Sequence, residues 1–300
     1  MVSLEQYDVV ILGTGPAGLQ AAIHAARKKV SVLVLGKEIK SSLFHAHIEN
    51  YYSVFNMSGA QMLATGREQA ASFGARFLED DVLRITFTDG KFGITSESGR
   101  AIRAVSLIIA TGTSRKRLNA PGEKEFLSKG VSYCVDCDGN FFRGETVAVI
   151  GNESAAADGA LTLLGTAAEV HLVCDKLQVS DALREKIENS DIIVHEGADV
   201  NAIRGEKAVD KLEFTDGTII TVSGVFIELG AKGVMELATS LGIQLDADMK
   251  YIDTDKKQHT NISGAFAAGD VCGPPWQMAK AVGEGCVAGI EAAAYAKKNR

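Results

Sequence analysis

The feature that most constrains this chain is a strand, a glycine turn and a helix at its start. Asp8 to Leu12 is a short apolar run, and Gly13-Thr14-Gly15-Pro16-Ala17-Gly18 follows it. Leu19 to Lys29 then reads as a helix and Val30 to Leu35 as a second strand. In such a turn the first glycine permits the tight bend, the second lets backbone approach a pyrophosphate, and the third lets helix pack on strand. The helix N-terminus then faces the anion. The competing reading is a turn that binds nothing, and the correctly placed strand and helix argue against it. An acidic residue usually closes the second strand to hold a ribose. Here Leu35 is followed by Gly36-Lys37-Glu38, which makes Glu38 the candidate.

The chain later repeats this unit. Val147-Ala148-Val149-Ile150-Gly151 matches Val9-Val10-Ile11-Leu12-Gly13, with a helix expected over Asn152 to Leu164 and a strand over Val170 to Val173. Two copies argue for two related α/β domains, in line with the length of 300 residues. The second copy sits inside the first domain. Strands near Lys211–Phe214 and Thr218–Thr221 are joined by Asp216-Gly217, a hairpin signal, and Phe226 to Gly230 is a final strand. Gly264 to Asp270 and a long helix from Gln277 to about Ala296 then return to the first domain. The expectation is an α/β protein of two Rossmann-like three-layer domains. Residues 1–117 and 233–300 form a discontinuous dinucleotide-binding domain, and 118–232 form the inserted central domain.

Composition narrows the partners. The net charge of −7 argues against broad binding to nucleic acid or an anionic membrane. No segment approaches the ~20 apolar residues that span a bilayer. Met1 to Asp8 has no basic region and no long apolar stretch, so the reading is a chain without signal peptide in a reducing cytoplasm.

The sharpest chemical feature is Cys134-Val135-Asp136-Cys137-Asp138-Gly139. Two cysteines at this spacing can close a small disulfide ring and exchange with another disulfide. A zinc site would want a second pair, but Cys174, Cys272 and Cys286 are isolated, so no metal is expected. The bland reading is two structural thiols. A neighbouring carboxylic acid can protonate a leaving thiolate and take the proton back. Asp136, between the cysteines, disfavours thiolate by like charge.

Further segments carry a resemblance. Ala110-Thr111-Gly112 follows the apolar strand Leu107 to Ile109, Glu49-Asn50 lies in the loop after the second strand, and Gly269-Asp270 ends a strand before the last helix. With Gly130-Val-Ser-Tyr-Cys134-x-x-Cys137-Asp138-Gly139, these match the low-molecular-weight thioredoxin reductase family in order and spacing. The resemblance implies FAD in the first domain. It would be held by Gly13, Gly15, Pro16, Ala17, Gly18, Glu38, Asn50, Ala110, Thr111 and Gly112, by Gly269, by Asp270 at the ribitol, and by Gln277, Met278 and Ala279 at the ring edge. It also implies that Cys137 faces the flavin, that Cys134 attacks the disulfide of a thioredoxin-like protein, that Asp138 shuttles the proton, and that the protein is a homodimer.

The central domain departs from that family. The expected Gly-x-Gly-x-x-Ala turn reads Gly151-Asn152-Glu153-Ser154-Ala155-Ala156, which puts a carboxylate where backbone should meet a pyrophosphate. The basic group for a 2′-phosphate reads Cys174-Asp175-Lys176, with Ser180 where an arginine is expected. Leu229-Gly230-Ala231-Lys232-Gly233 replaces the usual closing segment. The chain therefore resembles the pyridine-nucleotide-independent members, whose donor is ferredoxin, a deazaflavin or another reductant. Gly273-Pro-Pro-Trp276-Gln277 and Lys280-Ala-Val-Gly283-Glu-Gly285 resemble the ferredoxin-linked branch, and motif position puts Trp276 near the flavin. Two alternatives stay open: an NADH or NADPH enzyme with a non-standard nucleotide site, and a flavin redox sensor without turnover. Weaker candidates are His45 and His47 near the flavin and Arg115-Lys116-Arg117 as a docking patch.

Overall fold

The computed structural model describes residues 4–113, 117–230 and 234–300. Arg115 and Lys116 of the basic run, Ala231-Lys232-Gly233 and the junction expected at 232/233 lie outside the described residues. The elements run β1 (Glu5–Leu12), α1 (Pro16–Arg27), β2 (Val32–Leu35), β3 (His47–Ile48), β4 (Met57–Ser58), α2 (Gly59–Ser72), β5 (Arg76–Leu78), β6 (Val82–Thr88), β7 (Lys91–Ser96) and β8 (Ala101–Ile109). There follow β9 (Val131–Ser132), α3 (Val135–Asp138), β10 (Thr146–Ile150), α4 (Ser154–Leu163), β11 (Glu169–Cys174), α5 (Asp181–Glu188), β12 (Ile193–Glu196), β13 (Val200–Gly205), β14 (Val209–Phe214), β15 (Ile219–Thr221) and β16 (Gly224–Ile227). The chain closes with α6 (Val234–Leu241), β17 (Ala265–Ala267) and α7 (Met278–Lys298). It divides into two compact units, β1–β8 with α6, β17 and α7 in one and β9–β16 in the other.

The first unit is built on a parallel sheet, β5-β2-β1-β8, extended by the β8-β7-β6 meander. The C-terminal half of β8 pairs with β17, Leu107–Ile109 against Ala265–Ala267, and its N-terminal half pairs with β7. The central strands read as unbroken apolar runs because both of their faces are covered. Val9, Ile11, Val32 and Val34 pack under α1 and α7. Val10, Leu12, Leu33 and Leu35 face the other way, against Phe92, Ile94 and the α6 residues Leu237 and Leu241. The helix begins at Pro16 rather than Leu19, because proline at the first helical position has its φ already set and loses no needed N–H.

Small residues hold α1 against α7. A Cβ on Gly285 would collide with the carbonyl oxygen of Ala17, and one on Gly289 with that of Ala21. The two helices thus touch backbone to backbone.

The second unit has a five-stranded, all-parallel sheet, β12-β11-β10-β16-β9, and a separate antiparallel sheet, β13-β14-β15. The β14–β15 turn uses Gly217 at φ 87°. The Thr218 amide donates to Asp216 Oδ1 at 2.8 Å. The strand expected at Phe226–Gly230 runs instead over Gly224–Ile227, and Gly224 is required there because any side chain would strike the Phe142 ring. His171 and His195 share a hydrogen bond of 2.8 Å between Nδ1 and Nε2, and Glu169 meets the far nitrogen of His171 at 2.9 Å.

Two outcomes follow. Gly289→Val should cost about 1–3 kcal/mol through overpacking, read as a lower denaturation midpoint. Burial and then Arg27 and Lys28 hold His24 below the ordinary value of 6.5. Burial and then His171 do the same to His195. The unfolded chain therefore binds more protons, so these groups stabilise the fold above that value and the contribution is lost as pH falls below it. A denaturation midpoint that does not drop between about pH 7 and pH 5.5 would contradict this linkage.

Candidate active site

Each turn glycine in the first unit has a separate cause. Gly13 sits at φ 111°, and a Cβ there would collide with the carbonyl oxygen of Ala110. A Cβ on Gly18 would collide with the carbonyl oxygen of Gly13. Gly15 is different. A Cβ there would meet only Ser41 Oγ, at 3.3 Å. The protein's own packing explains Gly13 and Gly18, whereas Gly15 leaves room above the start of α1, whose N-cap makes no side-chain hydrogen bond. This is the geometry a pyrophosphate needs, and the residues fit FAD at this place.

The other expected residues gather in the same unit. Ala110 donates its N–H to the Leu12 carbonyl at 2.8 Å, which aligns Thr111 and Gly112 (φ 74°) beside the turn. A Cβ on Gly269 would lie 2.9 Å from that of Ala17, so the Gly269-Asp270 turn abuts the start of α1. Asn50 Nδ2 donates to Gln277 Oε1 at 3.2 Å, which joins the loop after β3 to the N-cap of α7. Met278 packs on the cluster of Leu19, Leu43, Ile48 and Leu63, and Ala279 follows in the first turn of α7. Glu38 opens a 3-10 turn after β2, with Arg67 Nη1 at 3.7 Å from its carboxylate. Trp276 is 60% exposed.

Sequence reading missed a clamp on this turn. Lys280 Nζ donates to the Gly269 and Gly273 carbonyls at 2.9 and 2.7 Å and pairs with Glu284 at 3.0 Å. Glu284 in turn accepts the Gly269 N–H at 2.8 Å. The turn bearing Asp270 is thereby fixed at both ends to one face of α7. Burial raises the Asp270 carboxyl above its ordinary value, Lys280 opposes this and Glu284 adds to it. A lysine and a glutamate four apart in the helix were the available signal.

In the second unit Cys134 and Cys137 form a disulfide. Cys134 is 6% exposed and Cys137 half-buried. Ser132, buried two residues before Cys134, donates its hydroxyl to Asp138 Oδ2 at 2.6 Å and accepts the Cys134 N–H at 3.1 Å. One hydroxyl thus ties the cysteine backbone to the acid. Glu123, 1% exposed, accepts from the Leu118 and Asn119 amides at 3.2 and 2.6 Å and from the Tyr133 hydroxyl at 2.7 Å. Phe141 is 82% exposed, just beyond the redox segment.

The second glycine turn also bends at positive φ and caps a helix, but its surroundings differ. Gly151 takes φ 152°, and a Cβ there would collide with the Glu228 carbonyl. Glu153 is the N-cap of α4. The Ala155 amide in the first turn donates to the Gly230 carbonyl at 3.1 Å, and the Gln178 amide donates to the Asn152 carbonyl at 2.6 Å. Ser180 caps α5, accepting from the Leu183 amide at 3.3 Å.

Burial, then Glu196 and Asp175, pushes the Cys174 thiol up to about 11. Burial, then Glu284, pushes Cys272 up to about 12. Among the described residues no group of three or more metal-ligating side chains occurs, and no helix is long and apolar enough to cross a membrane.

Residues 7–285 match the model of the pyridine nucleotide-disulphide oxidoreductase family. A thioredoxin reductase of Treponema pallidum (strain Nichols) is 35% identical, over 96% of this chain and 97% of its own. Among solved structures, the atypical thioredoxin reductase TRi from Desulfovibrio vulgaris Hildenborough is 35% identical with a TM-score of 0.86, covering 97% of this chain and 98% of that one. A ferredoxin-flavin thioredoxin reductase from Clostridium acetobutylicum is 30% identical with a TM-score of 0.71, covering 99% of this chain and all (100%) of the other.

The raised thiols predict selective labelling. After mild reduction, iodoacetamide at about pH 8 should modify Cys134 and Cys137 and leave Cys174 and Cys272 intact in the native protein. Peptide mass mapping reads this directly, and fast labelling of Cys272 would contradict its burial.

Proposed function

The chain belongs to the pyridine nucleotide-disulphide oxidoreductase family, and we propose that it reduces the disulfide of a thioredoxin-like protein with electrons from a donor other than NADPH. It is an oxidoreductase of the thioredoxin reductase type, with FAD as cofactor. When bound, FAD supplies the two-electron reduction of the Cys134–Cys137 disulfide. Gly13, Gly15, Pro16, Ala17 and Gly18 hold its pyrophosphate, with Glu38 toward a ribose and Ala110, Thr111 and Gly112 beside them. Asp270, set by the Lys280–Glu284 clamp, holds the ribitol next to Gly269. Asn50, Gln277, Met278 and Ala279 line the ring edge.

The exchange itself is the work of this chain's own residues. In the reduced state Cys134 attacks one sulfur of the partner disulfide. A mixed disulfide forms, the partner's S–S bond breaks, and the leaving thiolate takes a proton. Asp138, held by the Ser132 hydroxyl, supplies that proton and recovers one later. Cys137 then attacks the Cys134 sulfur, which restores the internal disulfide and releases the second partner thiolate. Cys134 is buried in the arrangement described, so the segment must be uncovered for this attack.

The observation that carries the donor assignment is the second glycine turn. Its first-turn amide at Ala155 is committed to the Gly230 carbonyl, Gln178 closes onto Asn152, and Glu153 stands where a pyrophosphate would approach. A carboxylate there repels phosphate, and the Ala155 amide is not free to offset it. The likeness to a ferredoxin-flavin enzyme supports ferredoxin or a similar low-potential protein as the donor class. By the same resemblance we expect a homodimer in the cytoplasm.

Anaerobic mixing tests the assignment. The oxidised FAD protein should bleach rapidly with reduced ferredoxin and slowly, by at least about 100-fold, with NADPH or NADH; a factor of 100 in rate corresponds to about 2.7 kcal/mol. Rapid bleaching by either nucleotide refutes the donor. After photoreduction, thioredoxin should restore the flavin absorbance. Cys134→Ser should abolish that recovery while leaving flavin binding intact. A protein that reduces no thioredoxin-like disulfide with both cysteines reactive is a sensor.

A further inference from the structure

Glu228 is a charged residue inside the apolar run Val225-Phe226-Ile227-Glu228-Leu229, just past β16, and only 6% exposed. Its Oε1 accepts the Val135 N–H at 3.0 Å. That amide directly follows Cys134 and opens α3. Two glycines make the contact possible. A Cβ on Gly159 of α4 would press on Val135 Cγ2 at 3.0 Å, with Glu228 Cγ at 3.9 Å, so the missing side chain lets Val135 and Glu228 close together. The Gly151 bend accommodates the Glu228 carbonyl on the other side.

When the first cysteine of a Cys-x-x-Cys segment caps a helix, the amides two and three residues further on are the donors its thiolate can accept. Stabilising that thiolate lowers the free energy of the reduced state and makes the disulfide more oxidising. Here the Cys137 amide does face Cys134 Sγ, at 3.1 Å, and the Val135 amide that opens the same turn is held by the Glu228 carboxylate. Asp136 and Asp138 place two further carboxylates on the same short helix.

We propose that Glu228 is a positioning residue that fixes the start of α3 through the Val135 amide and, through its charge, keeps the Cys134–Cys137 couple strongly reducing. The proposal rests on the redox role assigned to that pair above. Reduction breaks the S–S bond and adds two electrons and two protons, giving two thiols. Ionisation of Cys134 returns one proton to solvent and leaves a thiolate, which a neighbouring carboxylate disfavours. With that ionisation suppressed, the equilibrium leans toward the disulfide. The dithiol then passes its electrons on readily and needs a strong reductant to be refilled, which suits a low-potential protein donor.

The experiment equilibrates the full FAD-loaded chain anaerobically with mixtures of reduced and oxidised dithiothreitol, quenches with acid, and counts dithiol by mass after alkylation. Glu228→Gln keeps an acceptor for the Val135 amide and removes the charge. With the equilibration held at about pH 9, where an ordinary thiol is largely ionised, it should shift the equilibrium about tenfold toward dithiol, equivalent to about 30 mV for a two-electron couple. Glu228→Asp keeps the charge and should stay within about threefold of the wild type. A Gln variant within twofold of the wild type, or an Asp variant displaced as far as the Gln variant, overturns the proposal. The wild type alone offers a second check if the Gln variant does not fold. The alkylation rate of reduced Cys134 should keep rising to about pH 8.5, as for an ordinary thiol, and a plateau below about pH 7 overturns the proposal. None of these readings involves thioredoxin. Failure to reduce a protein disulfide with the Gln shift intact would therefore refute the proposed function and leave this inference standing.

Discussion

Backbone packed directly on backbone around the start of α1 is the constraint on which the first unit depends. The Gly13 bend fits against Ala110, Gly18 seats α1 on that bend, and Gly285 and Gly289 bring α7 onto Ala17 and Ala21. Dispersion acts only at contact, so a helix held this close has a fixed position as well as a favourable one. The consequence reaches the cofactor cradle. The first turn of α1, the Gly269-Asp270 turn and the clamp from Lys280 and Glu284 all take their places from that helix pair. Side chains larger than hydrogen at these points would separate the groups that have to converge on one ligand.

The two glycine turns of this chain separate two demands that a single turn would confound. Gly13 and Gly151 both occupy positive φ and both lie against a carbonyl of a neighbouring strand end. Folding alone accounts for them. Gly15 and Glu153 occupy the equivalent N-cap position, and a Cβ at Gly15 would meet only the Ser41 hydroxyl, at 3.3 Å. Smallness there fits the pyrophosphate contact proposed for the first unit. In the second unit the same place carries a carboxylate, and the Ala155 amide behind it is bonded to the Gly230 carbonyl.

The sequence was most legible where a residue type answers a local backbone need. The βαβ openings, the Asp216-Gly217 hairpin, the long final helix and the Cys-x-x-Cys ring follow from periodicity, turn chemistry and spacing. α2, β5 to β7, α5, β12 and β13 were not read, because their apolar patterns are short and acquire meaning only against neighbours distant in sequence. The same holds for the polar residues that tune the site. Glu228, Glu123 and Ser132 act through hydrogen bonds to segments their own positions do not announce. Glu228 left one trace, a charge inside an apolar run. Glu38 follows from the rule that an acidic residue usually closes the second strand, and the structure gives it Arg67 as a neighbour.

Glu123 adds a mechanical side to the redox segment. Its carboxylate grips two successive amides at Leu118 and Asn119, where the chain enters the second unit, and holds the hydroxyl of Tyr133, the residue before Cys134. The incoming strand of chain and the redox segment are thereby riveted at a buried point. The start of the second unit therefore keeps its register with the residue before Cys134, so the redox sulfur inherits its position from a buried carboxylate eleven residues upstream as well as from its own short helix.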